Sequence, residues 1–450
     1  MKISATLYLN SKSSRDVKEV DCLVPIRLGR VMNNSELTLG DALSLSNVIG
    51  AVRRSGQISR PELHKATGLS RTLISKYSDR AISLNVLHQG ALGVSTGGRT
   101  PRILQFNPKA GAILVAELGV SGMSLAISDL GGELTEIIEL EGDISLGPES
   151  VLLNVEKTFD RIIAKTKVDI WGIGIGLPGP VEFASGIAIS PPIMPGWDRY
   201  PVRDRLSKIY NVPVWVDNDV NLMALGTKVK NRHEKYHEFI YIKIGSGIGA
   251  GIFTNGLLHR GAQGCAGDIG HIRVEEASQI ICRCGNLGCL EAIAGGFALG
   301  REANDAVTKN ESKFLSNQLM INRVLDARDV IEGAKSGDKW CVDAITRAGH
   351  QVGKSLATLV NFHNPSVIVI GGGISAAGDQ LLASIRETVF QRSLPLATRD
   401  LEIRLGEAAD RMGLIGATEM VISELFKPES LKQWINLGYP DSTFQYSHEK

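Results

Sequence analysis

The apolar positions between residues 41 and 107 predict a group of short helices. Val48, Ile49 and Val52 recur at helical spacing and indicate the first helix. The residues from Ser59 to Glu62 form a capping-box pattern, in which a serine and a glutamate three positions apart satisfy free backbone N–H groups. A second helix is therefore expected to begin at this point.

A turn, a third helix and a wing are expected next. Gly68 is placed to end the second helix, and Ser70 is placed to cap a third helix running from Arg71 to about Ile82. Two later apolar runs flank a segment rich in glycine, serine and threonine that ends near Arg99, which predicts a β-wing. Three helices and a wing make a winged helix-turn-helix domain, whose third helix enters the major groove of DNA.

From residue 108 onward, strands and amphipathic helices alternate in two similar halves. In the first half, strands are predicted at residues 113–118, 124–130, 134–140 and 171–176, a helix at 151–164, and a strand ending at 217–219. The pattern restarts near Phe239, followed by a glycine-rich turn at 245–251 and a buried strand at 367–370. Two α/β lobes facing each other across a cleft fit this order.

The order of elements divides the chain into four parts. The expected parts are a flexible N-terminal segment at residues 1–40, a winged helix-turn-helix domain at 41–107, a two-lobed α/β body at 108–426 with its second lobe starting near 236, and a C-terminal tail at 427–450. Both ends are assigned as tails because their polar and mixed-charge stretches lack clear periodicity.

Composition narrows the class of protein. With 43% hydrophobic and 22% charged residues, the 450-residue chain has the make-up of a globular protein with sizeable cores. We find no signal-peptide pattern and no run of about 20 apolar residues, so no membrane segment is expected. The cysteines outside one cluster show no disulfide framework, which favours a cytoplasmic location.

Basic residues are concentrated in the predicted winged helix-turn-helix domain. The whole chain carries a net charge of only +1, but residues 41–107 hold nine Arg or Lys against three acidic residues. This excess is typical of a DNA-binding domain, although a solvated basic surface would look the same. The expected DNA contacts are Ser70, Arg71, Thr72, Ser75 and Lys76 on the third helix, and Arg99 in the wing.

A cysteine cluster predicts a metal site. Cys282, Cys284 and Cys289 lie within eight residues, and His271 precedes them. Three thiolates and one imidazole complete a tetrahedral zinc site with no position left for water, which indicates a structural ion. Buried cysteines beside a core histidine are the alternative. The intervening glycines favour zinc, because they allow the tight turns that bring neighbouring thiolates together.

Several motifs together resemble the ROK family of repressors, open reading frames and sugar kinases. The most specific are residues 267–271 with the cysteine cluster, residues 177–181, Asn218-Asp219 and the glycine-rich turn. The resemblance implies an actin-like ATPase fold for the body. It also implies assembly into a homodimer or homotetramer, and the N-terminal winged helix is similar to the family's repressor branch.

The same resemblance implies roles for individual residues. Asp219 matches the family's catalytic aspartate, and matching sugar contacts are implied for Gly179, Asn218, Asp219, Asp268, His271 and Glu291. The polar side chains in this set suit a polyol, because each sugar hydroxyl both donates and accepts hydrogen bonds. The implied nucleotide contacts are Gly245, Ser246, Gly247 and Gly372.

Departures from the family pattern weaken the case for a kinase. Family kinases carry Asp-x-Gly-Gly-Thr in the first hairpin, where this chain has Glu117 through Ser121. Its longer carboxylate and Val120 crowd a turn that must approach a triphosphate closely. Asp268 replaces a usual glutamate, and Pro192 replaces a frequent asparagine. Mg-ATP is therefore an expected cofactor only if kinase activity persists.

The preferred hypothesis is a sugar-responsive transcriptional regulator of carbohydrate metabolism with a structural zinc. Its expected partners are operator DNA, a small sugar or sugar phosphate, and further copies of the chain. The enzyme alternative is an ATP-dependent sugar kinase of the glucokinase or N-acetylhexosamine kinase type, with Asp219 as the base. A third hypothesis is constitutive DNA binding, with the body serving only for assembly.

Overall fold

The computed structural model describes residues 37–92, 102–231, 236–275, 278–322, 324–406 and 411–446. Most of the expected N-terminal segment and the wing tip with Arg99 lie outside these residues. Among the described residues, no helix has the length and apolar character needed to span a bilayer.

The first domain is a winged helix. Its elements are α1 (Leu39–Ser55), β1 (Gln57–Ser59), α2 (Arg60–Thr67), α3 (Arg71–Ser83), β2 (Leu87–Leu92) and β3 (Arg102–Phe106). The strands form an antiparallel sheet in the order β1-β3-β2. The capping box of Ser59 and Glu62 is present, Gly68 ends α2 at φ 70°, and the Ser70 side chain accepts from the Leu73 N–H. The predicted helix boundaries are thus confirmed in this domain, and α1 begins two residues before the expected boundary at 41.

The first lobe of the body is built on a five-stranded mixed sheet. It contains β4 (Ala112–Leu118), β5 (Gly122–Asp129), β6 (Leu134–Glu141), α4 (Pro148–Lys165), β7 (Ile170–Leu177), β8 (Val181–Glu182), β9 (Ile187–Ala188), α5 (Val202–Tyr210), β10 (Val214–Asn218) and α6 (Asp219–Lys230). The sheet order is β10-β7-β4-β5-β6, with β10, β7 and β4 parallel and the β4-β5-β6 meander antiparallel.

The second lobe repeats this plan. Its strands and helices are β11 (Phe239–Ile244), β12 (Ile248–Thr254), β13 (Leu257–His259), α7 (Leu290–Ala294), α8 (Gly296–Thr308), α9 (Lys313–Asn322), α10 (Ala327–Lys335), α11 (Lys339–His363), β14 (Val367–Gly371), α12 (Asp379–Arg392), α13 (Pro395–Thr398) and β15 (Glu402–Leu405). The sheet order β13-β12-β11-β14-β15 again joins an antiparallel meander to parallel strands. The two-lobed α/β fold predicted from the alternating pattern is confirmed.

The glycine-rich turn is shorter than predicted. We expected it over residues 245–251, but β12 already begins at Ile248 and pairs with β11. A Cβ on Gly251 would lie 2.5 Å from the Ala224 Cβ of α6. The later glycines therefore admit α6 close to the sheet, and only residues 245–247 form the turn.

The chain returns to the first lobe after β15, so the second lobe, whose first strand β11 begins at Phe239, does not extend to residue 426. Helix α14 (Met412–Leu425) packs on α6, β4 and β7. A Cβ on Gly416 would lie 1.8 Å from the carbonyl oxygen of Leu222 on α6, which explains why glycine is required there. Helices α14 and α6 thus contact each other backbone to backbone.

The C-terminal segment differs from the predicted tail, because part of it is a helix packed against the body. Residues 428–434 form α15 (Pro428–Trp434), and Trp434 is buried against Trp171 and Phe426. Further along, Phe444 and Tyr446 contact the Trp215 ring. Burial of aromatic surface anchors this segment, and its irregular spacing gave no helical or strand period to recognise.

Candidate ligand site and metal centre

A cleft of about 150 Å³ lies at the C-terminal ends of β7 and β10, next to the β11–β12 turn. Its lining includes every residue for which the sequence implied a sugar contact: Gly179, Asn218, Asp219, Asp268, His271 and Glu291. Val120, Pro192 and the first-lobe helix α6 line it as well. Residues separated by more than 100 positions in the chain therefore meet at one concave surface.

Asn218 begins α6 and presents Asp219 to the cleft. The Asn218 Oδ1 accepts from the backbone N–H groups of Val220 and Asn221, at 2.9 and 3.2 Å. Its Nδ2 donates to the Gly179 carbonyl oxygen at 2.9 Å. Asn218 is thus an N-cap that fixes the Pro178–Pro180 loop, and its remaining amide hydrogen is the part free for a ligand.

A lysine that the sequence analysis overlooked enters the same site. The Lys243 Nζ lies 2.5 Å from the Asp219 Oδ2, and the Asp219 side chain is only 4% exposed. Burial alone would lower the Lys243 pKa, but the negative charges of Asp219 and Glu117 outweigh this effect, so the Lys243 pKa is raised. A single lysine among the apolar residues of β11 was the signal that could have identified it.

Glu117 lies beside this pair at the end of β4. Burial, together with the negative charges of Asp219 and Glu139, raises the Glu117 pKa from 4.5 to about 7, against the lowering effect of Lys243. The carboxyl group that replaces the family's aspartate therefore resists ionisation near neutral pH.

Asn221 is a second cleft residue that the sequence did not predict. It is 2% exposed, lines the cleft, and its Oδ1 has no hydrogen-bond partner within the described residues. Its Nδ2 donates to the Asp217 Oδ1 at 3.0 Å, and Asp217 in turn pairs with Arg260 at 2.8 Å. The amide is held in place while one buried acceptor is left to be satisfied.

The opposite wall of the cleft carries two carboxyl groups and a histidine. Burial raises the pKa of both Asp268 and Glu291, and the Glu291 Oε2 accepts from the Ile248 N–H at 3.1 Å. A Cβ on Gly247 would lie 2.2 Å from that same oxygen. Gly247 is therefore required for the approach of Glu291, whether or not a phosphate binds there.

The implied nucleotide contacts are only partly gathered at the cleft. Ser246 and Gly247 line it, whereas Gly245 and Gly372 are not part of the lining. Gly372 adopts φ 87°, and a Cβ there would lie 2.5 Å from the Ile244 carbonyl oxygen. The backbone geometry alone therefore requires glycine at this position, whether or not ATP binds.

The predicted metal ligands converge. One ligand atom each from His271, Cys282, Cys284 and Cys289 lies within 4.8 Å of all the others. The Cys284 and Cys289 sulfurs are 3.7 Å apart, and the Cys282 sulfur is 3.5 Å from the His271 Nδ1. Zn–S bonds of about 2.3 Å and Zn–N bonds of about 2.0 Å at tetrahedral angles require separations of about 3.8 and 3.5 Å. The residues present thus fit a tetrahedral zinc ion.

Local backbone geometry brings the sulfurs together. Cys282 accepts from the Gly285 N–H and donates its own N–H to the Asn286 carbonyl oxygen, which closes a tight turn. Gly285 and Gly288 adopt φ 90° and 67°, a region that favours glycine. Burial raises the Cys289 pKa to about 12, so a full thiolate set requires a cation.

His271 connects the metal ligands to the cleft. Its Nδ1 faces Cys282, while its Nε2 lies 3.8 Å from the Asp268 Oδ1. Glu291 follows Cys289 by two residues in the first turn of α7. The metal ligands and the cleft residues are therefore parts of one structural unit.

The third helix of the winged domain has an exposed start. Ser70, Arg71 and Thr72 are exposed, and within the described part of the chain the Arg71 and Thr72 side chains make no hydrogen bond or ion pair. Ser75 instead accepts from Arg60, and Lys76 pairs with Asp41 at 2.7 Å. Of the expected DNA contacts, the residues in the first turn of α3 are the most available.

The winged domain is docked on α14 and α15. Arg53 of α1 pairs through both guanidinium nitrogens with Glu419 of α14, at 3.0 and 2.5 Å. Ser46 donates to the Phe426 carbonyl oxygen at 2.7 Å. Arg80 of α3 contacts Asn436 just beyond α15. Helix α14 therefore contacts both the winged domain and α6.

Comparison with known proteins decides the family. The sequence profile of the ROK family matches residues 116–424. The chain belongs to the ROK family. It is 33% identical over 375 residues to the xylose repressor of Caldicellulosiruptor bescii, a match covering 82% of this chain and 92% of that protein. It is also 32% identical over 308 residues to the glucokinase of Halalkalibacterium halodurans, covering 68% of this chain and 93% of that enzyme.

A solved structure covers the whole arrangement. A ROK family transcriptional regulator described as a homologue of E. coli MLC superposes with a TM-score of 0.75 at 26% identity, covering 89% of this chain and all of that chain. The Streptomyces griseus ROK glucokinase with glucose and AMPPNP gives a TM-score of 0.61 at 25% identity and covers 69% of this chain. The repressor and regulator matches extend over a larger share of the chain than the kinase matches do.

Proposed function

We propose that this protein is a sugar-responsive, DNA-binding transcriptional regulator of carbohydrate metabolism. The observation that carries the proposal is the position of α14, which packs on α6, the helix that begins at the cleft, and pairs with the winged domain through Glu419. The regulators among its relatives, which match over most of the chain, support the same function.

The proposed effector is a small sugar or sugar phosphate. Asp219, Asp268 and Glu291 offer acceptors, His271 offers a ring nitrogen, and Asn221 offers its unsatisfied Oδ1. Such a mixed set suits neighbouring hydroxyl groups, because each can donate to one group and accept from another. Ligand would favour a closed cleft over an open one, and the difference in affinity sets the size of the response.

The proposed metal is a structural zinc ion held by His271, Cys282, Cys284 and Cys289. A zinc ion would cross-link the loop that carries Cys282 and Cys284 to the start of α7. It would also hold the His271 ring with its Nε2 toward the cleft. The metal thereby supports ligand contacts without a catalytic part.

Operator binding is proposed through the first turn of α3, with Ser70, Arg71 and Thr72 nearest the bases and Ser75, Lys76 and Arg99 adding phosphate contacts. A homodimer or homotetramer would place two such helices on an operator, and cleft closure in each chain would change their spacing.

The test is operator affinity at fixed salt, with DNA fragments selected from a random library. Arg71→Ala should weaken binding at least about fivefold, since a base contact is worth roughly 1–3 kcal/mol and about 1.4 kcal/mol is tenfold. The matched control is Arg161→Ala, which removes an exposed arginine from α4 and should leave affinity unchanged. A panel of hexoses, pentoses and their phosphates should include one that shifts affinity and melting temperature together. If none does, constitutive DNA binding replaces the sensor hypothesis.

A sugar kinase is the second candidate, because Asp219 heads α6 in the cleft as a catalytic base would. The pairing with Lys243 and the raised Glu117 pKa oppose it. ADP release in the presence of a sugar, abolished by Asp219→Asn, would establish the kinase and overturn a purely regulatory body.

A further inference from the structure

Lys243 occupies the junction of two glycine-rich segments. On β11 it is paired with Gly249 of β12 and with Gly371 of β14, and the Gly245–Gly247 turn follows it. A Cβ on Gly245 would lie 3.6 Å from the Lys243 Cε. The side chain therefore runs along the turn that a nucleotide phosphate would have to approach.

The amine is held by an acidic group from the other lobe. The Asp219 Oδ2 lies 2.5 Å from the Lys243 Nζ at the start of α6, and the charge of Glu117, at the end of β4, also favours the ammonium form. An aspartate with a second carboxyl group nearby would otherwise suit Mg²⁺, which binds one or two carboxylates and completes its shell with water and phosphate oxygens. Here an ammonium group supplies the positive charge instead.

We propose that Lys243 is a built-in counter-ion of Asp219 that takes the place of the metal–nucleotide charge, so that the cleft binds its ligand without nucleotide. The inference deepens the proposed regulatory function of this cleft and rests on it. It has two physical consequences.

First, a divalent cation cannot enter without displacing the ammonium from Asp219. Like charges within a few ångströms repel strongly in a partly buried site, where effective dielectric values are well below that of water. Second, the Asp219 Oδ2 is already occupied by the Lys243 ammonium, so taking a proton from a sugar hydroxyl at this oxygen would require that ion pair to break. Asp219 still lines the cleft, so it remains part of the ligand-binding surface.

The test measures binding of Mn²⁺, as a probe for Mg²⁺, by electron paramagnetic resonance of the full-length protein. Lys243→Ser should gain one Mn²⁺ per chain relative to the wild type, with affinity raised at least about tenfold. Lys243→Arg keeps the charge and should behave as the wild type. The double variant Lys243→Ser with Glu117→Gln should lose the added ion, which separates this site from exposed acidic groups.

A folded Lys243→Ser that gains no ion would overturn the inference, and so would a wild type that binds Mn²⁺ with the same affinity as the variant. Should Lys243→Ser not fold, Lys243→Met and the wild type carry the test. Calorimetric titration of the wild type with the active sugar should give the same affinity with and without Mg-AMPPNP, and a change above about threefold would contradict the inference. Since neither measurement uses DNA, failure of operator binding is distinguished from failure of this proposal.

Discussion

Replacing Trp434 with alanine should detach the winged domain from the body. The Trp434 side chain is 1% exposed, with its ring centroid 5.3 Å from that of Trp171 and 6.0 Å from that of Phe426. Its Nε1 donates to the Leu425 carbonyl oxygen at 2.9 Å. Truncation of a buried tryptophan costs about 3–5 kcal/mol, a range that already contains the ring contacts and the cavity left behind.

The loss should be felt mainly at the domain junction. Phe426 accepts a hydrogen bond from Ser46 of α1, and Arg80 of α3 contacts Asn436 two residues beyond Trp434. Both contacts depend on the position of α15. We therefore expect hydrogen exchange in residues 39–55 to quicken, while exchange in the two lobe sheets stays near wild-type values.

The control separates packing from hydrogen bonding. Trp434→Phe retains most ring contact and loses the Nε1 donor, so it should cost about 1–2 kcal/mol. Calorimetry and hydrogen exchange measure both variants. If Trp434→Ala lowered the free energy of unfolding by less than about 1 kcal/mol, or if both variants lowered it equally, the assigned role of α15 would be refuted.

Three further predictions concern the metal, the cleft and the domain contact. Cys284→Ser should lose bound zinc, measured by atomic absorption, and with it sugar-responsive operator binding; a response that survived would contradict the structural link through His271. Because the folded-state Glu117 pKa is about 7 against 4.5 ordinarily, stability should fall as pH rises between these values. Glu117→Gln should then raise the melting temperature more at pH 8 than at pH 5, and a pH-independent effect would refute it. Arg53→Ala should reduce the effect of sugar on operator affinity more than Glu419→Gln does. The alanine variant leaves the partly buried Glu419 carboxylate without its ion-pair partner, whereas glutamine carries no charge.

Local signals explain what the sequence predicts well. The capping box at Ser59, the turn glycine at Gly68 and the cap at Ser70 each act within a few residues, and the helices begin and end where they indicate. The metal ligands follow from spacing, and the cleft residues follow from motifs shared with a family. These features can be recognised without knowing the packing of distant elements.

Long-range pairings explain what was missed. Lys243 meets Asp219 only because β11 and α6 approach each other from different lobes, and no spacing rule connects the two residues. The segment from Pro428 to Tyr446 is held by aromatic contacts with Trp171 and Trp215, more than 200 positions earlier. Its irregular apolar spacing has no period, so the sequence predicts a tail where the structure has an anchored helix.

The contact between α6 and α14 connects the helix that begins at the cleft with the helix that contacts the winged domain. A Cβ on Gly226 would lie 2.1 Å from the Met412 carbonyl oxygen, and one on Gly416 would lie 1.8 Å from that of Leu222. With backbones this close at two points, the helices cannot slide independently, because interlocked surfaces shift between discrete arrangements. In the proposed regulator, a ligand that moved Asp219 at the start of α6 would therefore move α14 as well. Since Glu419 of α14 pairs with Arg53, that movement would be passed on to the winged domain.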